Sequence, residues 1–373
     1  MINKGIVFYV NSLKFFISHR MNLVRLANNN NYNVIICCKV DTDIPNEKFK
    51  SYQIIDINFR GSEFNIFNES KNIFKIRKLI KINKNYIHHF ITIKPIFYAS
   101  LLRNQLNSSK VVISFSGIGY IASNQSLRAK ILKNIFNYFS KKLFNLKNIN
   151  IIFQNIDDYK FIHSSTKFKK DKSIIIPGSG IDLQQIKYSK IPNNENTTFL
   201  LAARLLKDKG IIEFINASQE ILLNNKKVRF IIIGDIDKNN PSYVDKKIIN
   251  DWQDNKNKFF KNYQRNIIEY IKNSDVIVLP SYREGLPKFL IEANAVGRPI
   301  ITTNVPGCKE CVIDGQNGYL FEPKNTSSLI QAMEKILIRK NHFDTMSRKS
   351  RLIAEKKFSI KKVNEEHLKI YEG

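Results

Sequence analysis

The sequence predicts an α/β protein built from two parallel sheets, and three observations carry that expectation. The chain has 373 residues, too many for one ordinary core and enough for two. Short apolar runs of strand length alternate with longer segments whose apolar residues recur at helical spacing. The alternation is interrupted once, by a stretch rich in Pro, Gly and Asn, and then resumes.

In the first series the strand-like runs are Ile6 to Tyr9, Val34 to Cys38, Ile87 to Ile93, Val111 to Ser114 and Ile151 to Phe153. Segments of helical period separate them, which predicts a parallel sheet covered by helices on both faces. One helix, roughly Leu127 to Asn150, places Ile131, Ile135, Phe136, Phe139, Leu143 and Phe144 among Lys130, Lys133, Lys141, Lys142 and Lys147. A helix packed on its sheet with a solvated Lys face is the plainer reading of this pattern, and a membrane-facing amphipathic helix is the other. The run Lys71 to Lys84 carries the same two readings.

Next comes Ile174-Ile-Ile-Pro-Gly-Ser-Gly-Ile-Asp182, followed by polar residues to Asn196, which suits an interdomain connection and sets the boundary near residue 172. The second series is Thr198 to Ala202, Val228 to Ile233, Val276 to Leu279 and Pro299 to Thr302. Open α/β sheets bind ligands beyond the carboxyl ends of their strands, so two facing sheets predict a site in the cleft between them.

The net charge of +28 points to anionic partners, although Lys, Asn and Ile are over-used along the whole chain, as an AT-rich coding background would produce. A chain this basic is drawn to an anionic membrane surface at up to about 1 kcal/mol for each Lys or Arg lying near it. Nucleic acid is disfavoured, because no reading helix and no aromatic stacking surface with basic neighbours is visible. Four cysteines do not make a disulfide framework, which fits a reducing compartment. The opening residues read as a first strand rather than a signal peptide, and no run approaches the roughly 18 apolar residues of a membrane span. The expectation is a cytoplasmic, membrane-associated protein.

The most informative segment runs from Val276 to Gly297: an apolar strand, then Pro280-Ser-Tyr-Arg-Glu284-Gly-Leu-Pro287, then a helix containing Glu292. Pro287 near the first helical position would leave the N–H groups of Gly285 and Leu286 as an anion site, strengthened by the helix dipole. Glu284 and Glu292 each offer two acceptor oxygens, suited to the vicinal hydroxyls of a ribose and a hexose. Arg204 and Lys209 follow the strand Thr198 to Ala202, where two fixed cations can neutralise charge building on a departing diphosphate. Gly234 and Asp235 stand at another strand end and would line the same cleft. The pairs Asp41-Thr-Asp43 and Asp235-Ile-Asp237 lack a further metal ligand nearby, and Cys308-Lys-Glu-Cys311 lacks the second half of a zinc site, so no metal is expected.

Glu284 to Glu292 resembles the Glu, seven residues, Glu motif of family 4 retaining glycosyltransferases. Ala203-Arg204-Leu-Leu-Lys-Asp-Lys209-Gly210, Asn304 to Glu310, Asp314 to Gly318 and Phe321-Glu-Pro323 resemble the family's flanking segments. The resemblance implies the GT-B fold: an N-terminal Rossmann-like acceptor domain (1–171) and a C-terminal Rossmann-like nucleotide-sugar domain (172–356) facing each other across a cleft, with a helix (357–373) crossing back. By the same resemblance Arg204 and Lys209 contact the donor diphosphate, Glu292 the ribose and Glu284 the transferred sugar, with Gly285, Leu286 and Pro287 beside them.

Phe15-Phe-Ile-Ser-His19-Arg20, His89 to Pro95 and Ser116-Gly-Ile-Gly-Tyr120 resemble a narrower set that acts on lipid-linked sugars in bacterial surface polysaccharide synthesis. Ser116, Gly117, Gly119, His19, His89 and Lys94 are thereby candidates for the acceptor side. Two departures stand out: Asn11 to Lys14 contains no glycine where relatives have a Gly-rich loop, and Phe259 to Asn262 replaces a segment in which relatives often have one.

The implied activity is retaining, metal-independent transfer of an N-acetylhexosamine or related hexose from a UDP-sugar. The implied acceptor is a polyprenyl-diphosphate-linked saccharide at the inner face of a bacterial plasma membrane, as in O-antigen or capsule synthesis. A UDP-sugar epimerase on the same scaffold and a basic nucleic-acid-binding protein are the alternatives. The Glu pair with Arg204 and Lys209 opposes the first, and the lack of a reading helix or a basic aromatic stacking surface opposes the second.

Overall fold

The structure, a computed structural model, describes residues 4–40, 52–59, 66–119, 127–238, 240–253 and 256–373. The chain divides into two compact units, one of Met1–Ser179 with Lys362–Gly373 and one of Gly180–Lys361.

The first unit holds a seven-stranded sheet of β1 (Gly5–Ser12), β2 (Asn33–Lys39), β3 (Gln53–Asp56), β4 (Ile87–Ile91), β5 (Val111–Phe115), β6 (Ile149–Phe153) and β7 (Ser173–Ile175). Its order is β3-β2-β1-β4-β5-β6-β7, with every pair parallel. Side chains alternate between the two faces, and each face is covered. Val7, Tyr9, Phe90, Ile113 and Phe115 meet Ile76 and Ile80 of helix Ile66–Ile82, Ile96 of helix Ile93–Leu101, and Phe136 and Leu143 of helix Leu127–Leu143. On the opposite face Ile6, Phe8 and Val10 meet Phe16, Leu23 and Val24 of helix Leu13–Asn29, and Val363 and Ile370 of helix Ile360–Glu372. The turn after β1 is closed by Ser12, whose hydroxyl accepts the Phe15 N–H at 3.2 Å as an N-cap.

The second unit holds β8 (Thr197–Ala202), β9 (Val228–Ile233), β10 (Lys258–Lys261), β11 (Val276–Leu279), β12 (Ile300–Thr303) and β13 (Gly318–Phe321), in the order β10-β9-β8-β11-β12-β13 and again all parallel. Its first and last segments pair: Ile181 N–H donates to the Phe358 carbonyl at 2.7 Å, and Ile360 N–H to the Ile181 carbonyl at 2.9 Å. A fully buried Arg298 fastens the entering segment to the sheet, donating to the carbonyls of Ser189 (2.6 Å), Lys190 (2.9 Å), Lys272 (2.8 Å) and Ile271 (3.1 Å).

In both sheets the strand order reverses at a central pair, β1 with β4 and β8 with β11. Loops leaving the carboxyl ends of such a pair diverge to opposite faces and open a crevice there, where α/β sheets take their ligands.

Two sequence expectations are corrected. Residues 173–175 belong to the first sheet and not to a connection, because Ile152 pairs with Ile174 in a parallel ladder. The helix expected to reach Asn150 stops at Leu143, since β6 begins at Ile149 and must cross the sheet. Phe259 to Lys261, in the segment that departs from the relatives by its lack of a glycine, lie in the edge strand β10.

Candidate functional site

The reversal point of the second sheet gathers the residues singled out between β8 and β11. After β8 the chain passes Arg204 and makes a single tight turn, Lys207–Lys209, before helix Ile211–Asn224. After β11 it runs through Pro280–Pro287 into helix Lys288–Val296. The two loops are fastened together: Tyr282 N–H donates to the Asp208 carbonyl at 2.9 Å, and the Ser281 hydroxyl lies 3.3 Å from it. Gly210 makes this approach possible, because it holds φ +70° and a Cβ there would fall 2.2 Å from the Pro280 carbonyl oxygen.

Glu284 is the centre of this arrangement. Its Oε1 pairs with Lys209 Nζ and accepts the Ser281 hydroxyl at 2.8 Å, and both members of the ion pair are largely buried. Its backbone is held from the β12 side: Glu284 N–H lies 3.4 Å from the Pro306 carbonyl, and Thr303 Oγ1 donates to the Ser281 carbonyl at 2.5 Å. Gly307, at φ +79°, lets the loop after β12 touch the motif backbone, since a Cβ would fall 2.5 Å from the Gly285 carbonyl oxygen. Tyr282 is anchored by its hydroxyl on Glu213 Oε1 at 2.6 Å, and burial, then this carboxylate, push its pKa up.

Glu292 lies on the following helix and is 8% exposed. Burial raises its pKa above the usual carboxylate value, and Lys288, 3.5 Å away and one turn earlier, opposes that rise. Arg204 stands apart from Lys209: it pairs with Asp237 at 3.2 Å in solvent. The helix start differs from expectation. Pro287 is the N-cap and not the first helical residue, so the amides at the helix mouth are those of Lys288 and Phe289 rather than Gly285 and Leu286. Leu286 is buried in the core instead. Gly234 follows β9 and donates its N–H to the Lys261 carbonyl at 3.0 Å. Asp235 accepts the Tyr263 N–H at 2.9 Å, so its carboxylate organises the loop after β10.

In the first unit Ser116, Gly117 and Gly119 follow β5, with φ of +99° and +33° at the two glycines. Tyr120 and Asp41-Thr-Asp43 lie outside the described residues. His89 is corrected: it is fully buried in β4, with Nδ1 2.8 Å from the Tyr371 hydroxyl and Nε2 2.7 Å from the Ser114 hydroxyl, and burial holds its pKa well below the usual value. It belongs to the core and lines no surface. His19 stacks on Phe15 with Nδ1 2.7 Å from the Ser18 hydroxyl. Lys94 pairs with Glu69 at 2.8 Å, and Glu69 also accepts the Tyr98 hydroxyl.

Sequence reasoning gave no site role to Arg20, Ser281, Asp237 or Lys288, although Arg20 and Asp237 stood in segments it singled out. Arg20 is buried and donates to the Ser116 hydroxyl at 2.8 Å, and burial lowers its pKa to about 10. The signal was available, because Arg20 interrupts the apolar stripe Phe16, Leu23, Val24 and Ala27 of its helix. Among the described residues no group of three or more His, Cys, Asp or Glu is placed to hold a metal ion.

Residues 6–155 match the family model described as glycosyl transferase 4-like, and residues 184–352 that of glycosyl transferases group 1. The capsular polysaccharide biosynthesis glycosyltransferase CapM of Staphylococcus aureus is 30% identical over 185 residues, which are 50% of this chain and 48% of CapM. The chain thus spans about half of that relative. The N,N'-diacetylbacillosaminyl-diphospho-undecaprenol alpha-1,3-N-acetylgalactosaminyltransferase of Campylobacter jejuni is 25% identical over 301 residues, 76% of each chain. Among solved structures, Anabaena Alr3699/HepE in complex with UDP and glucose superposes with a TM-score of 0.77 at 15% identity over 98% of both chains. That likeness shows the fold, the two-domain α/β arrangement of GT-B glycosyltransferases.

Proposed function

Because its two halves belong to the glycosyl transferase 4-like and glycosyl transferases group 1 families, we propose that this chain transfers a sugar from a UDP-sugar to a polyprenyl-diphosphate-linked saccharide in bacterial surface polysaccharide synthesis. The observation that carries the reading is the Lys209–Glu284 pair, held by Ser281 at the strand-order reversal of the second sheet. A cation and a carboxylate fixed side by side at such a crevice match a donor whose diphosphate and sugar are joined by one bond. The Campylobacter relative, named for a diphospho-undecaprenol acceptor, supports the lipid-linked acceptor, and the structure holding UDP and glucose supports the donor class.

In the proposed reaction Lys209 and Arg204 turn from their acid partners to the donor diphosphate, and the amides at the mouth of helix Lys288–Val296 add a further positive end. Arg204 gives up little, since its pair with Asp237 lies in solvent. Glu292 receives the ribose hydroxyls and Glu284 those of the sugar. The bond from the anomeric carbon to the diphosphate breaks, and the acceptor hydroxyl bonds to the same face. Its proton passes to the departing phosphate oxygen, so UDP leaves and the anomeric configuration is retained. The two cations and the helix mouth carry the leaving-group charge, so the reaction is metal-independent. The donor sugar is an N-acetylhexosamine or related hexose.

The protein works at the cytoplasmic face of the membrane that carries its acceptor. The contact proposed is peripheral; no helix among the described residues is long and apolar enough to cross a membrane.

The test is UDP release by purified protein with a chelator present. Release is expected only when nucleotide sugar and lipid-linked acceptor are supplied together, with the donor's anomeric configuration kept in the product. A strict requirement for a divalent ion would overturn the site assignment, and interconversion of donor sugars without acceptor would make the protein an epimerase.

A further inference from the structure

The first unit carries an outer face in which apolar and basic side chains alternate in solvent. Helix Leu127–Leu143 exposes Ile131, Leu132, Ile135 and Tyr138 to between 40% and 62%, although Phe136 and Leu143 already bury its sheet-facing side. Ile131, Ile135, Tyr138 and Lys142 are spaced four, three and four residues apart, so they form one stripe. Lys130 and Lys141 flank it, and this helix contains no acidic residue. Helix Ile66–Ile82 repeats the pattern. Phe67 and Phe74 are 80% and 67% exposed, and Ile82 ends the same row with Lys71 and Lys78 between them. The acid of this helix, Glu69, is paired with Lys94.

Both helices pack on the same face of the seven-stranded sheet, so their outward sides belong to one layer. Single exposed apolar residues are ordinary on a protein surface, but two parallel-pattern rows on one layer, ringed by lysines that form no ion pair among the described residues, are not. An apolar row needs a partner that removes it from water, and the lysines need that partner to be negative. A protein groove would have to supply both over two separate helices, whereas an anionic bilayer supplies acyl chains below a sheet of phosphates at every point.

We propose that this face, formed by the outer sides of helices Ile66–Ile82 and Leu127–Leu143, docks on an anionic lipid bilayer with its aromatic and aliphatic residues among the acyl chains and its lysines at the phosphates. The inference deepens the proposed function and rests on it for its purpose, which is to hold the enzyme where a lipid-linked acceptor is carried.

Flotation of the full chain, without any sugar substrate, on vesicles of phosphatidylcholine alone and of phosphatidylcholine mixed with phosphatidylglycerol tests it. Co-flotation is expected with the anionic vesicles. It should fall at least ~10-fold in Ile135→Glu with Tyr138→Glu and in Phe67→Glu with Phe74→Glu, and about fivefold in Lys130→Ser or Lys78→Ser. The replaced side chains lie in solvent, so an unchanged melting temperature is expected to accompany each loss. Glu variants that float like the wild type overturn the proposal. So does a wild-type chain that ignores anionic vesicles, or a dimer in sedimentation that the same Glu substitutions dissociate, since the face then belongs to a second copy.

Kinetics keep the two readings apart. The Glu variants are expected to retain wild-type turnover on a short water-soluble acceptor and to lose at least ~10-fold on acceptor embedded in vesicles. Vesicle docking with no sugar transfer to any acceptor leaves the docking face standing and overturns the proposed function instead.

Discussion

Glu284 and Glu292 share a motif yet sit in different physics, and their variants are expected to behave differently. Glu284 is fixed by an ion pair with Lys209 and a hydroxyl from Ser281, so Glu284→Gln loses the pair and leaves Lys209 with a weaker acceptor. A fall of ~10- to 100-fold in kcat/KM is expected for Glu284→Gln and for Lys209→Met, on the order of 1–3 kcal/mol for one charged hydrogen-bond partner, read by steady-state kinetics. The two losses should be far from additive in the double variant, because each single change already breaks the same pair. Glu292 is buried and its pKa is raised by desolvation, so its charged form opposes folding as pH rises through that pKa. Glu292→Gln is therefore expected to raise the melting temperature at neutral pH while weakening donor use ~10-fold or more. A variant that is destabilised and keeps its donor affinity would mark Glu292 as a structural residue.

At the scale of elements, the loops of the second unit depend on close backbone approach. Gly307→Ala puts a methyl group against the Gly285 carbonyl from a left-handed backbone position, which displaces the loop that carries Glu284. The expected signature is a loss of donor affinity together with a destabilisation of roughly 1–3 kcal/mol, measured by denaturant unfolding. Arg298 plays the corresponding part away from the site. Its guanidinium satisfies carbonyls of Ser189, Lys190, Ile271 and Lys272, so Arg298→Met strands them in the interior. A loss of about 3 kcal/mol or more is expected in the second unit, with the kinetics of surviving protein unchanged.

Across the whole molecule, acid is expected to act unevenly on the two units. His88, His89 and His367 are buried in the first unit, and burial lowers the pKa of His88 and of His367 to about 4. A histidine whose folded pKa is depressed adds stability that is complete above its unfolded value and is lost as pH falls through the folded one. The first unit should accordingly weaken from about pH 6.5 down through about pH 4, by on the order of 3 kcal/mol for each of these two histidines. Hydrogen exchange over that range is expected to expose β4 and helix Ile360–Glu372 before β8 and β11, and equal loss in both units would count against it. Sequence alone determined the two-sheet plan, because buried parallel strands read as apolar runs, unbroken from Ile6 to Val10 in β1 and along the whole of β11. Edge strands escaped it: β3, β7 and β10 are short and partly exposed, so they leave no such run. The motif from Glu284 to Glu292 was legible because strand, loop and helix are contiguous in the chain. What only the tertiary structure decided is who partners whom across chain separations that no local pattern encodes. Lys209 meets Glu284 across 75 residues, Arg20 meets Ser116 across 96, and His89 is sealed by Tyr371 from 282 residues away, each fixed by how the strands stack and not by any neighbouring residue.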